Sequence, residues 1–531
     1  MILHGLSLIA GHPGQTGGKT FHAANPSTSA PMEPVFHEAT AAEAAAALEA
    51  SAAAFADYHA RTGAERAKFL ETIAIEIESI GDALLQRANA ETGLPLARLM
   101  GERGRTCGQL RLFAQVVREG SWVDARIDPA LPDRQPLPRV DLRRMLIPIG
   151  PVVVFGSSNF PLAYSAAGGD TASALAVGCT VIVKAHRAHP GTAELVGGAI
   201  ARAATACGLP PGVFSLIHGD GATVGITMVK HPATAAVGFT GSHFAGRALF
   251  DAANSRPHPI PVFAEMSSLN PVFLLPGAMR ERGLAIARGL LGSFTLGVGQ
   301  FCTKPGLIFA LSGPETDAFL AQLAEMVRVA PNGTMLTSGI RDAFVENRGK
   351  ITSALGVQPL AAGASAPDPA KTEGQPSVAT TSAKNFLVQP ALATEAFGPF
   401  TLVVLADRIE EFGACAAALE GQLTATLQTA AEDFADARPL LAALEQKVGR
   451  VILNGFPTGL EVGHAMNHGG PYPATTDVRY TAVGTAAMLR FARPICYQGL
   501  GDELLPVPLK DANPLGLLRL VDGKPTRAPL A

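Results

Sequence analysis

Gly150-Pro151-Val152-Val153-Val154-Phe155-Gly156-Ser157-Ser158-Asn159-Phe160-Pro161 decides how the rest of the chain is read. An apolar run between a Gly-Pro pair and a Gly-Ser-Ser turn predicts a short strand covered on both faces. A helix then runs through Leu175, and Thr180-Val181-Ile182-Val183-Lys184 repeats the strand. Another helix from Thr192 to Cys207 leads to Val213-Phe214-Ser215-Leu216-Ile217, and Ala235-Ala236-Val237-Gly238-Phe239 starts a further unit. Strands alternating with helices predict a parallel sheet wound on both sides. Residues 270–440 predict a second α/β series, interrupted at 361–371 by a Pro/Ala/Gly/Ser loop.

Upstream, helices are expected over residues 39–56, 63–90 and 96–117. The third places Glu102, Arg105, Gln109 and Phe113 on one face. That face reads either as a solvated surface with a Glu102–Arg105 pair or as part of a site. A proline-rich run at 128–139 predicts an extended excursion from the domain body.

Composition narrows the classes. A chain of 531 residues exceeds what one core supports. With 47% hydrophobic and 16% charged residues it suits a large, well-buried enzyme, not a disordered protein. A net charge of −3 gives no reason to expect nucleic acid or an anionic membrane as partner. No apolar run approaches the roughly 20 residues of a membrane span. The first ten residues lack a basic lead-in and read as a strand, not a signal peptide. Cys107, Cys179, Cys207, Cys302, Cys415 and Cys496 lie far apart, without disulfide or metal-ligand spacing. The expectation is no metal and a reducing, cytoplasmic compartment.

Gly299-Gln300-Phe301-Cys302-Thr303-Lys304-Pro305-Gly306 joins a helix-like run at 284–296 to the strand-like Leu307-Ile308-Phe309-Ala310. A cysteine on such a turn is a candidate nucleophile; the plainer reading is a small buried hydrophobe. Gly241-Ser242-x-x-x-Gly246 opens a helix whose N–H groups can meet a phosphate, or serves as an ordinary cap. Glu265 ends another apolar strand, as a surface residue or a buried base.

Taken in chain order, six elements resemble the aldehyde dehydrogenase superfamily over about residues 20–500. They are the stretch 155–161, the strand-ending Lys184, Phe239-Thr240-Gly241-Ser242-x-x-x-Gly246, the Glu265 motif, Gly299-Gln300-Phe301-Cys302 and Glu395-Ala396-Phe397-Gly398-Pro399. The resemblance implies an α/β fold with two doubly wound α/β domains plus a β oligomerisation arm. Residues 1–127 and 144–263 would form the dinucleotide-binding domain and 264–463 the catalytic domain. Residues 128–143 and 464–531 would form the arm and C-terminal segment, joining a homodimer or homotetramer.

The same resemblance implies roles. Cys302 is the nucleophile, Glu265 the general base, and Asn159 with the Cys302 N–H the oxyanion site. Lys184 and Glu395 hold the two ribose hydroxyl pairs, Phe397 packs beside the nicotinamide ribose, and Gly241, Ser242 and Gly246 face the pyrophosphate. Two departures stand out. Met266-Ser267-Ser268 replaces the usual Leu-Gly-Gly, and Arg187 stands where NAD-preferring relatives often carry glutamate. Arginine pairs with a 2′-phosphate, so the cofactor is expected to be NADP or NAD, with NADP well used. Within the superfamily, residues 104–111 and 464–476 resemble the branch acting on 2,5-dioxovalerate (α-ketoglutaric semialdehyde). That implies Arg105, helped by Gln109 and beside Phe160, as the binder of a distal carboxylate. The rivals are a general or long-chain aliphatic aldehyde dehydrogenase, a thiol hydrolase (which would want a histidine base) and a catalytically silent relative.

Overall fold

Val152–Phe155 and Val181–Lys184 are buried along their whole length and pair in parallel at the centre of a seven-stranded sheet. The sheet runs Val262–Glu265, Ala236–Thr240, Val152–Phe155, Val181–Lys184, Phe214–Ile217, Leu8–Ile9, His12–Pro13. Side chains alternate between faces, so Val152 and Val154 enter one apolar core while Val153 and Phe155 enter the opposite one. Covering both faces is why these strands read as unbroken apolar runs. The chain order reverses between Val152–Phe155 and Ala236–Thr240, which leaves a crevice at their carboxyl ends. Register then levels the functional positions: Phe155 pairs with Lys184 and with Phe239, and Thr240 with Glu265.

This computed structural model describes residues 3–530; Met1, Ile2 and Ala531 lie outside the described residues. Of the strand expected over the first ten residues, only Leu8–Ile9 forms among the described residues; residues 3–7 are not in a strand.

A second seven-stranded sheet runs Gln358–Ala362, Ser377–Ser382, Phe400–Ala406, Leu307–Leu311, Val272–Leu274, Gln422–Gln428, Val448–Leu453. All its pairings are parallel except that of Gln358–Ala362. A five-stranded sheet joins Ala492–Gln498, Leu142–Pro148, Arg126–Asp128, Arg519–Val521 and Lys524–Thr526. Its strands reach beyond the expected 128–143 excursion at both ends. No helix among the described residues is long and apolar enough to cross a membrane.

Three helical expectations change in detail. The alanine-rich helix is Ala41–Ala60, opened by a Thr40/Glu43 capping box. The single helix expected over 63–90 is two, Gly63–Ser79 and Asp82–Thr92, separated at Gly81, whose φ of 67° no helix continues. The helix after the first strand begins only at Gly169, because residues 160–168 form a buried turn.

Candidate active site

Cys302 follows the helix Pro276–Thr295 and a turn in which Gly297, Val298 and Gly299 all have left-handed φ, at 56°, 58° and 67°. A β-branched residue there is strained. Val298 is held because its side chain fills the spaces beside Gly333 and Gly374. A Cβ on Gly299 would lie 2.2 Å from the Gly398 carbonyl oxygen, so this turn meets the Glu395–Gly398 loop backbone to backbone. Asn159 Nδ2 donates to the Gln300 carbonyl at 3.0 Å, and Asn270 Nδ2 to the Cys302 carbonyl at 2.8 Å. Among the described residues the Cys302 N–H has no protein partner. The amide of Asn159 keeps a second N–H beside it, which suits an oxyanion.

Glu265 closes its strand and is clamped there by Thr475, opposite it, and by the Met266 N–H donating to the Ala474 carbonyl at 2.8 Å. Its Oε1 lies 2.9 Å from His468 Nε2, which lies 3.5 Å from Cys302 Sγ. Both Glu265 and His468 are buried. Burial, then the Glu265 charge, pushes the Cys302 thiol well above its ordinary range. A thiol held so needs a base in contact to ionise near neutral pH. Sequence reasoning missed His468. It lies 166 residues from Cys302, and no local spacing links them. Its presence also removes the lack of a histidine as an argument against a thiol hydrolase; the nucleotide-shaped cleft below still separates the two.

The departure after Glu265 makes bonds of its own. Ser267 Oγ accepts from the His243 N–H at 3.3 Å, and Ser268 Oγ accepts from the Leu423 N–H at 3.0 Å. Near them, burial raises the Glu395 carboxyl while Lys304 pulls it down. Glycines at 267 and 268 would make neither of these hydroxyl bonds.

Two clefts adjoin at Ser158, Gly241 and Ser242. One of about 430 Å³ is lined by Asn159, Phe160, Glu265, Cys302, Glu395 and Phe397. The other, of about 900 Å³, holds Lys184, Arg187 and the start of the helix His243–Asn254, capped by Ser242. Lys184 is buried without a hydrogen-bonding protein partner among the described residues, and burial, then Arg187, lowers its ammonium to about 8. A cleft with a lone buried cation and a helix start fits a dinucleotide. Arg187 lies 3.3 Å from Glu38 and over the Phe21 ring. Glu38 is a further residue that sequence reasoning missed. Gly246 is not among the lining residues. A Cβ there would lie 2.7 Å from Met266 Cγ, so this glycine lets the helix pack against the end of the Glu265 strand.

On the other side of Phe160 a cleft of about 520 Å³ is lined by Arg98, Glu102, Arg105 and Phe301. Arg105 donates to the Tyr164 hydroxyl at 3.1 Å and stacks on Phe160 and Tyr164. The alternative Glu102–Arg105 ion pair does not form: Glu102 is buried and accepts from the Leu162 and Ala163 N–H groups at 2.8 and 2.9 Å. Gln109 is buried and lines, with Arg105, Leu460 and Val462, a separate cleft; it is not among the residues lining the Cys302 cleft. Arg98, also missed, stacks between Phe160 and Phe301 and donates to the Asn159 carbonyl at 2.7 Å.

Comparison with known proteins bears on the family of the chain. The pattern of the Aldehyde dehydrogenase family matches residues 13–473. The chain is 53% identical over 524 residues to alpha-ketoglutaric semialdehyde dehydrogenase 2 of Azospirillum brasilense, covering 98% of each. It is 46% identical over 521 residues to alpha-ketoglutaric semialdehyde dehydrogenase of Acinetobacter baylyi, again 98% of each. Among solved structures, lactaldehyde dehydrogenase from Escherichia coli superposes with a TM-score of 0.80 at 21% identity, over 93% of this chain and 98% of that one. Betaine aldehyde dehydrogenase from Staphylococcus aureus, solved with NAD+, gives 0.79 at 20%, over 93% and 95%. At such identities the structural likeness concerns the fold.

Proposed function

The chain belongs to the aldehyde dehydrogenase family and is an NAD(P)-dependent aldehyde-oxidising enzyme, and we propose that its substrate is 2,5-dioxovalerate (α-ketoglutaric semialdehyde), oxidised to 2-oxoglutarate. The observation that carries this reading is the identity, over nearly the whole chain, to two semialdehyde dehydrogenases of that name. The guanidinium groups of Arg98 and Arg105 beyond Phe160 support it, since an oxo acid brings a carboxylate to be held.

In this reading Cys302 attacks the aldehyde carbon as its thiol proton passes to the His468–Glu265 pair. The oxyanion of the thiohemiacetal lies against the Asn159 amide and the Cys302 N–H. Bound NAD(P)+ supplies the hydride acceptor. Water activated by Glu265 then cleaves the thioester, releasing the acid and restoring the thiol. Lys184, Glu395, Phe397 and the Gly241-Ser242 turn hold the dinucleotide. Arg187 beside Glu38 offers a partner for a 2′-phosphate and, in the carboxylate, an acceptor for a 2′-hydroxyl, so NADP is used well alongside NAD. The first seven-stranded sheet, whose last strand runs to Glu265 and so past the expected boundary at 263, carries the nucleotide; the second carries the Cys302 turn, and the five-stranded sheet, which takes in Leu142–Pro148, joins copies of the chain.

A second reading, a general aliphatic aldehyde dehydrogenase, is favoured by the apolar cluster of Phe160, Phe301, Leu460, Val462 and Met466. Initial rates with 2,5-dioxovalerate and hexanal separate the two. Losing one charge-assisted contact costs about 2 kcal/mol, so Arg105→Ala lowers kcat/KM for the oxo acid roughly 30-fold. Hexanal turnover is expected to persist. Preference for hexanal, unchanged by the substitution, would establish the second reading instead.

A further inference from the structure

Three side chains of metal-binding type meet at the base of the catalytic cleft, from a strand end, a turn and a remote loop. Cys302 Sγ, His468 Nε2 and a Glu265 carboxylate oxygen all lie within 4.8 Å of one another. We propose that they form a site for a borderline-soft divalent cation such as zinc, whose occupancy reversibly blocks the nucleophile. The spacing supports this. Tetrahedral zinc with a thiolate at about 2.3 Å and an imidazole nitrogen at about 2.0 Å separates sulfur and nitrogen by roughly 3.6 Å, and Sγ–Nε2 is already 3.5 Å. The 2.9 Å Nε2–Oε1 contact opens by about half an ångström, and the Glu265 carboxylate turns to bring its oxygen from within 4.8 Å to about 3.6 Å of Sγ.

Chemistry and charge agree. Binding releases the thiol proton to solvent, and the resulting thiolate and the carboxylate together neutralise the ion. His468 binds through the Nε2 lone pair with its proton on Nδ1. Glu265 Oε2 is buried without a protein hydrogen bond, so a second oxygen is free to turn toward the ion. His468 Nδ1 likewise has no partner, so the imidazole lacks the outer support of a closed structural site. This marks an exchangeable inhibitory ion, not a permanent one. Glu265 and Cys302 both line the cleft of about 430 Å³, which gives room for a water as the fourth ligand. None of this depends on which aldehyde is oxidised.

The test titrates zinc chloride into the native enzyme while iodoacetamide labelling is followed peptide by peptide. Zinc should bind once per chain at this site and slow labelling of Cys302. The exposed Cys496 should label as before, magnesium should do nothing, and a chelator should restore the rate. Against a zinc-competing dye, Cys302→Ser and His468→Asn should each weaken binding by more than about tenfold, with NADP binding as the check of folding. X-ray absorption on the native complex should find one sulfur among the zinc ligands. Unprotected Cys302, a shell without sulfur, or full affinity in Cys302→Ser would overturn the site. If His468→Asn does not fold, His468→Gln takes its place, and undiminished binding in the folded variant would be equally fatal.

Discussion

Lys184 lines the large cleft with most of its side chain out of water, and this couples that cleft to pH. Burial is the larger cause of its fall to about 8, with Arg187 adding to it and Asp220 and Glu38 opposing. Anionic phosphates favour the ammonium form, so binding raises this value. Above about pH 8 the free lysine has lost its proton, and binding must take one up. NADP affinity should therefore weaken as pH rises from 7 to 9, and Lys184→Met should flatten that dependence. A dissociation constant measured by fluorescence that stays level in the native enzyme across this range would refute the coupling. Lys184 was legible in the sequence because it ends an apolar strand. Glu38 was not: it sits beside Arg187 only because an N-terminal segment folds over the cleft, a long-range contact that local periodicity does not encode.

At the scale of elements, the helix Leu96–Glu119 has a task that its surface pattern concealed. Glu102 and Arg105 suit an i, i+3 pair on paper. In the fold, the Glu102 carboxylate instead secures the turn after Asn159 by accepting two backbone N–H groups. Glu102→Leu leaves those donors buried and unmet, at a cost of about 3 kcal/mol. Glu102→Gln, which keeps a carbonyl acceptor, should lose less. Urea denaturation orders the two variants, and equal stability of the leucine variant with the native enzyme would remove the anchor. The parallel strands were legible because burial on both faces demands continuous apolar runs. The 160–168 turn was not, since its conformation is fixed by a carboxylate from another element.

The whole molecule gathers its chemistry from separate sheets. Asn159 and Glu265 leave the first sheet, Cys302 precedes a strand of the second, and His468 comes from a loop beyond it. The order of the motifs singled out the first three as candidates; that His468 stands beside Glu265 and Cys302 needed three dimensions. The third sheet ends in Ala492–Gln498, which among the described residues pairs only with Leu142–Pro148 and so presents a free edge there. Such an edge invites pairing with another chain. Light scattering in solution should give two or four times the chain mass, and a monomer would refute assembly through the arm.

The contact of Gly299 with the Gly398 carbonyl bears on how such enzymes can be recombined. The nucleophile turn and the loop carrying Glu395 and Phe397 are fitted to one another through bare backbone. A chimera whose crossover falls between them inherits each half from a different parent. It keeps the fit only where both parents supply glycine at these positions, so the two segments travel as one module, however far apart they lie in the chain.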